Sequence, residues 1–430
     1  MRRMLALALG LSLLLSGCGG GEEAPEPDAQ PPALSAAQPQ PEPAPEPEPD
    51  PEPVVARLMV AGDVMSHMPI TNDAYVAETG DYDYSHILSD ATDQLAGADY
   101  AVANLETVLA GGPDYSGYPA FNSPDALAYD LREAGFHLLS TANNHSRDRG
   151  LEGIFRTLDV LDSAGLAHVG THRSQEERDQ NSGVYVADAG GISVAFLSYT
   201  YGLNGFRLDS DKMYAANLFN LDYYSTLKDP DYGLLSADLA AARALETDLI
   251  AVMIHWGVEY QNAPNRHQTE LARFLVGQGA DLVLGGHPHV LQPYERVTAP
   301  AWDGGEREGL VIYSLGNFIS NQNFDDPKRD LATRTTAILD LELTRGPDGS
   351  AAVTDVSYTP YYMVHRNSQP AGQRRFLVDI HRAMAAYEAG ESQIITKTTY
   401  NQLQKALEHA HAILGPEGDR GCVTQPAPGA

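Results

Sequence analysis

Short apolar runs in this chain repeatedly end in small groups of polar residues. Gly62-Asp63 follows residues 58–60, Asn104-Leu105-Glu106 follows 100–103, and Asn143-Asn144-His145 follows 138–142. Further on, His255-Trp256-Gly257 follows 249–254, Gly286-His287-Pro288-His289 follows 282–284, and Ser314-Leu315-Gly316-Asn317 follows 310–313. Asp63 and Glu106 supply carboxylates, Asn144 an amide oxygen, and His255, His287 and His289 imidazoles. That oxygen and nitrogen set suits Zn, Mn or Fe. Taken singly, a Gly-Asp pair reads as a turn, Asn-Asn-His as a loop cap, and a strand-end histidine as a satisfied hydrogen-bonding group. Together they point to a metal site. In parallel sheets, ligand sites form beyond the carboxyl ends of the strands, so six such clusters on one sheet can converge there.

The elements that must position these residues follow from the hydrophobic pattern. Apolar runs predict strands over 54–64, 100–104, 136–142, 193–199, 248–255, 281–285 and 310–315. Three- and four-residue spacing predicts helices over 125–134, 151–164, 236–245 and 266–278, with Gly135, Gly165 and Gly279 placed to end three of them. The alternation indicates an α/β fold. Two hairpins are expected, one turning at Gly190-Gly191 and one at 346–349, so the sheet is mixed and its later strands antiparallel. From Gln373 the pattern reads as helical, with Phe376, Val378, Ile380, Met384 and Tyr387 in one segment and Leu403, Leu407 and Ile413 in another.

The chain has 430 residues, 43% of them AVILMFWYC, enough for one large domain or two ordinary ones. With 28 Lys+Arg against 58 Asp+Glu it carries a formal charge of −30, which argues against nucleic acid as a partner. Two cysteines, Cys18 and Cys422, are too few for a disulfide scaffold or a cysteine zinc site, so any metal must rest on His and carboxylates. His172, Arg173, Arg266, His267 and Arg296 are the scattered cationic candidates for an anionic substrate.

The start reads as an address. Arg2 and Arg3 precede a short apolar run over 4–15, the pattern of a secretory signal and too short to span a bilayer. Leu15-Ser16-Gly17-Cys18 resembles the lipobox of bacterial lipoproteins, which implies a lipidated Cys18 holding the protein on the extracytoplasmic face of a bacterial membrane. The plainer alternative is an ordinary cleaved signal. Residues 19–53 hold twelve prolines and nine acids and almost no large apolar side chains. As an extended spacer this stretch would reach on the order of 100 Å.

The ordered set Gly62-Asp63-Val64-Met65, Asn104-Leu105-Glu106, Ala142-Asn143-Asn144-His145 with Asp148 and Gly150, His255-Trp256-Gly257-Val258-Glu259-Tyr260, His287-Pro288-His289-Val290 and Tyr313-Ser314-Leu315-Gly316-Asn317-Phe318 resembles the CapA family of poly-γ-glutamate capsule proteins, over 57–319. The resemblance implies a calcineurin-type metallophosphatase fold, a mixed β-sandwich flanked by helices. It places Asp63 as the first metal carboxylate, Glu106 as a bridging carboxylate, Asn144 and His145 in an Asn-His motif, and His255, His287 and His289 as the later histidines. One departure matters. Where those phosphatases carry a histidine two positions after the first aspartate, this chain has Met65, and the nearest histidine is His67. The expectation is one tight divalent ion on Glu106, Asn144, His255 and His287, and at most one weak ion on Asp63, Glu106 and His289. His145 would protonate the leaving group with Asp148 orienting it, and Asn104, Asn143, Glu259 and Asn317 would support the ligands or meet substrate.

The division implied is 1–18 signal and lipobox, 19–53 spacer, 54–345 metallophosphatase-like domain, and 346–430 a C-terminal strand and helical extension. The function implied is synthesis, export or anchoring of poly-γ-glutamate or a related surface polymer, with a hydrolase site acting on an anionic small molecule or polymer. The alternatives are a non-catalytic accessory of a membrane polymer synthase, or an inert surface protein that keeps the fold.

Overall fold

The computed structural model describes residues 52–421, so Cys18, Cys422 and nearly all of the 19–53 spacer lie outside the described residues. Among the described residues two large sheets form. The first runs, edge to edge, Arg375–Asp379, Ala351–His365, Thr335–Arg345, Val54–Val64, Tyr100–Leu105, Leu138–Ser140 and Ala167–Val169, with Asn317–Ile319 pairing beside the end of Val54–Val64. The second runs Leu291–Pro300, Glu306–Leu315, Leu282–Gly286, Leu249–His255, Ile192–Thr200 and Tyr185–Ala189.

The sheets are buried on both faces, which is why their central strands read as near-continuous apolar runs. Along Val54–Val64 the two-residue period sorts side chains between layers. Leu58 and Val60 enter the core between the sheets with Val102, Phe196, Met253, Leu284 and Leu339. Met59 and Ala61 face outward onto the helices Ser85–Leu95 and Ala126–Glu133 through Ile87, Leu88, Leu127 and Leu131. The second sheet is covered on its outer face by Tyr232–Arg243 and Arg266–Gly277, through Leu235, Leu239, Leu271 and Leu275. The result is a mixed β-sandwich flanked by helices. Each fully buried Leu, Ile, Val or Phe contributes about 1.5–3 kcal/mol, so the sandwich is stiff enough to hold polar groups at its rim in costly arrangements.

Strand register carries the polar clusters to one rim. Asp63 lies opposite Asn104 on one side and Asn317 on the other, and Gly286 lies opposite His255, all in parallel pairings. The rim is tight. A Cβ on Gly62 would lie 2.0 Å from the Gly316 carbonyl oxygen, and glycine there lets the Asp63 amide donate to that same oxygen at 2.9 Å.

Two expectations change. The clusters come from two sheets meeting at one rim, not from a single sheet, because the strands sort into separate sheets by long-range pairing that no local pattern records. Residues 375–379 form a strand, not the start of a helix, because they pair antiparallel with Ala351–His365, and the helix begins at Ile380 with Asp379 capping it. The hairpin expected at 346–349 is present, its arms Thr335–Arg345 and Ala351–His365 pairing from Thr335 opposite Tyr362 to Arg345 opposite Ala351 within the first sheet. Helices Ile380–Glu388 and Lys397–Leu414 pack on that sheet's edge through Ile380, Leu403 and Ala406 against Tyr362 and Val378.

Candidate metal centre

Asp63, Glu106, His255, His287 and His289 are all buried, and their ligating atoms fall into overlapping groups. Glu106, His255 and His287 form one group within 4.8 Å, and Asp63, Glu106 and His289 form another. Glu106 is common to both. A third group joins His287 and His289 to the exposed Glu259. Asp63, Asn104, Glu106, Asn144 and His145 come from the first sheet and the loops following its strands, and His255, His287 and His289 from the second.

The contacts within the cluster are spaced like ligands around a gap. Glu106 Oε1 is 3.4 Å from His255 Nε2 and 3.8 Å from His289 Nε2, and Asp63 Oδ2 is 3.4 Å from His289 Nδ1. Neither carboxylate oxygen of Glu106 has a hydrogen-bond partner, although the residue is 0% exposed, and His287 Nδ1 is also unpartnered. Buried polar groups are almost always paired, and an unpaired buried carboxylate is costly enough to require an explanation. A divalent cation supplies one. The donor set, two carboxylates with three imidazoles and the Asn144 amide oxygen 2.8 Å from His255 Nε2, fits Zn, Mn or Fe.

The electrostatics agree. Burial opposes a proton on His289, yet Glu106 and Asp63 beside it raise its pKa to about 9. Burial also pushes the Asp63 carboxyl upward, but the adjacent His289 ring, the charges of His255 and His289 and the hydrogen bond from Asn104 outweigh it and leave the group below its ordinary value. His287 is held well below the usual histidine range by burial and by its His255 and His289 neighbours, so it presents the neutral ring a metal needs. Positive charge is thus drawn to the space between the two carboxylates.

Backbone geometry at the rim serves this placement. His287 and His289 adopt φ of 95° and 58°, a region that non-glycine residues occupy at a cost of about 1–3 kcal/mol each. Gly286 accommodates the Asp63 carboxylate: a Cβ there would lie 2.6 Å from Asp63 Oδ1, while the His287 amide donates to Asp63 Oδ2 at 3.1 Å.

Beside the cluster stands a second device. His145 Nδ1 is 2.7 Å from Asp148 Oδ2, and the same carboxylate oxygen accepts from the Phe121 amide at 2.7 Å. Phe121 meets the His145 ring edge-on at 4.7 Å. The imidazole is therefore fixed in place without belonging to any ligand group among the described residues.

The expected supporting residues divide. Asn104 donates to Asp63 Oδ1 at 2.8 Å and accepts from Asn143, which also donates to the Leu105 carbonyl at 2.7 Å. Asn317 donates to the carbonyls of His289 and Thr333. All three are buried and hold the rim together. Of the four, Glu259 alone is exposed toward the space above the histidines. His67 does not replace the histidine missing at Met65. Its Nδ1 lies 3.3 Å from the Met65 carbonyl, it joins no ligand group, and burial lowers its pKa to about 4.

Of the cationic candidates, Arg173 pairs with Asp159, Asp162 and Glu177, Arg266 with Glu270, and Arg296 with Glu308, while His172 is buried with its pKa lowered by burial to about 3. Only His267 among them lines a cavity beside the cluster. Two residues with no motif join the site. Asn204 accepts from Asn144 Nδ2 at 3.0 Å and places its own amide 3.3 Å from His145 Nδ1, and the Tyr201 ring lies 4.7 Å from that of His287. Both follow the strand Ile192–Thr200. Tyr201 stands directly at the strand end, where the same rule applies, whereas Asn204 lies four residues on in irregular chain.

Residues 57–322, more than half of the chain, match the family model described as bacterial capsule synthesis protein PGA_cap. The chain belongs to this family. The PGA_cap chain is 29% identical over 285 residues to the capsule biosynthesis protein CapA of Bacillus anthracis, covering 63% of this chain and 62% of that one. It is 31% identical over 232 residues to the PGA biosynthesis protein CapA of Bacillus subtilis (strain 168), covering 53% and 52%. It therefore spans less than two thirds of the length of these relatives. Similar solved structures include the NAD nucleotidase NadN of Haemophilus influenzae (TM-score 0.43, 11% identity, 86% of this chain and 66% of that one). Another is the calcineurin-like phosphoesterase YfkN of Bacillus subtilis (TM-score 0.40, 13% identity, 83% and 97%).

Proposed function

We propose that this PGA_cap protein is a metal-dependent hydrolase of the phosphoesterase type, acting in synthesis, export or anchoring of poly-γ-glutamate or a related surface polymer. The observation that carries the reading is Glu106, buried with both oxygens unpartnered and shared by two ligand groups, with the His145–Asp148 pair beside it. A bound divalent ion would make hydroxide available near neutral pH and polarise the bond attacked. The chain's own residues do the rest. Glu106, His255 and His287, with Asn144, would hold the tight ion, and Asp63 and His289 with Glu106 would hold a weaker one. His145 gives its proton to the leaving oxygen. Asp148 accepts from the opposite ring nitrogen and keeps the imidazole oriented, as carboxylates beside catalytic and ligating histidines commonly do.

A second reading, a non-catalytic accessory of a polymer synthase, is supported by the names of the two Bacillus relatives, which describe them as biosynthesis proteins. Metal analysis of the purified chain, with a panel of phosphoesters and γ-glutamyl peptides assayed with Mn, Zn or chelator, separates the two. We expect one slowly exchanging ion per chain and turnover that disappears with chelator. Bound metal with uniform inactivity would favour the accessory, and a chain that binds no divalent ion would remove the site altogether.

We also propose that lipid on Cys18 tethers the protein to the outer side of a membrane, with 19–53 as spacer. This rests on the lipobox-like sequence alone. No helix among the described residues is long and apolar enough to cross a bilayer. Cys18→Ser should move the protein from the membrane to the soluble fraction and abolish palmitate labelling; unchanged membrane retention would contradict it.

A further inference from the structure

Two cavities flank the metal cluster. One, of about 420 Å³, is lined by Lys228, Trp256, His267 and the ligand His287. The other, of about 570 Å³, is lined by Tyr118, Phe206, Tyr223 and the proposed acid His145. Tyr201, Leu227 and Glu259 line both, so the cavities adjoin across a shared divide beside the cluster, where Glu259 reaches His287 and His289. A single irregular excursion between Ile192–Thr200 and Tyr232–Arg243 supplies walls to each.

The charges at this divide select among substrates. Asp63, Glu106 and Glu259 bring three carboxylates to the cluster. The charge of a single divalent ion does not exceed that of these three carboxylates, so with one ion in place the cluster offers no positive surplus to a dianion. A terminal phosphate carries about 1.5 to 2 negative charges at neutral pH. A diester carries one. Without a positive surplus, the singly charged diester is accommodated more readily than the doubly charged terminal phosphate. Lysine and histidine side chains line only the His287 cavity, through Lys228 and His267, apart from His145 itself on the other side. The His145 side is walled by aromatic rings.

We propose that the substrate of this site is a phosphodiester with an organic group on each side of phosphorus, the retained group in the His287 cavity and the departing group in the His145 cavity, so that the enzyme cuts internal linkages and not terminal phosphates. This rests on the hydrolase reading above. In the step, a water oxygen bonds to phosphorus and the P–O bond to the departing alcohol breaks. That oxygen takes the His145 proton, and the proton released by the water restores His145.

The test is calorimetric binding of diphenyl phosphate and phenyl phosphate to the full chain, with and without Mn, in the parent and in Tyr118→Ala and Lys228→Ala. Tyr118 is 76% exposed and Lys228 is exposed, so neither substitution threatens the fold. We expect diphenyl phosphate to bind about tenfold more tightly than phenyl phosphate, with each substitution weakening it about threefold. Phenyl phosphate should respond to at most one of the two. Equal or tighter binding of phenyl phosphate, or diphenyl phosphate binding that ignores either substitution, overturns the proposal. Turnover of bis(p-nitrophenyl) phosphate is followed separately. Two-sided binding without turnover supports the cavities and sinks the hydrolase, whereas turnover that prefers p-nitrophenyl phosphate supports the hydrolase and sinks the two-sided substrate.

Discussion

Glu106→Gln should strip the protein of its tightly held ion and of all metal-dependent turnover while leaving the metal-free fold as stable as before or more so. The shape of the side chain is kept. What changes is the charge: in the metal-free protein both Glu106 oxygens are buried without a hydrogen bond, with only His255 and His289 at 3.4 and 3.8 Å to offset the charge, and an ion so placed costs as much as a neutral amide or more. With metal the sign reverses. An ion present at about a hundred times its Kd stabilises the parent by about 2.7 kcal/mol, and the variant loses that gain because both ligand groups lose their shared member. Thermal melts with and without chelator, read beside metal content, make the comparison. The parent should melt several degrees lower in chelator and the variant should not respond. A Glu106→Gln protein that keeps a stoichiometric ion would show that the carboxylate is a structural oddity and not a ligand.

Much of this arrangement could be read from residues in order. Residues 54–64, 248–255 and 310–315 are largely apolar because these central strands are buried on both faces, and the polar residues that end them stand where the strands leave the core. Asp63, Glu106 and His287 therefore announce themselves by position. Other parts had no local signature. That Val54–Val64 and Leu249–His255 belong to different sheets depends on pairings between segments far apart in sequence. Phe376 and Val378 suit a helix or a strand equally, and only the neighbouring strand Ala351–His365 decides. Asn204 sits at φ 47° in an irregular excursion, where neither a two- nor a 3.6-residue period operates. Lys228 is one exposed lysine among charged neighbours until the fold sets it at a cavity wall. Asn104, Asn143 and Asn317 were legible as site residues but not as to role, because sequence order cannot say whether an amide faces substrate or clamps a backbone carbonyl.

His145→Ala gives the second large effect, and its pattern across substrates is more telling than its size. Loss of a positioned general acid lowers turnover by on the order of 10²- to 10⁴-fold. Metal content should stay near that of the parent, since His145 belongs to none of the ligand groups among the described residues. The substitution also removes a ring packed edge-on against Phe121 at 4.7 Å and a partner of Asp148 at 2.7 Å, so a general loosening of the rim must be told apart from loss of a proton donor. Leaving-group basicity does this. An ester of nitrophenol departs as a stable anion and needs little protonation, whereas an alkyl ester departs as an alkoxide and needs the proton in the transition state. A missing acid therefore costs far more on the alkyl ester. Loosening of the site costs both alike, because both depend equally on the metal and on Glu106. Asp148→Asn should reproduce the same bias in weaker form, since the ring remains but loses the carboxylate that orients it, while the Phe121 amide still finds an oxygen to accept its hydrogen bond. Equal losses on the two esters in both variants would place His145 among the residues that shape the rim, and the proton would have to come from elsewhere.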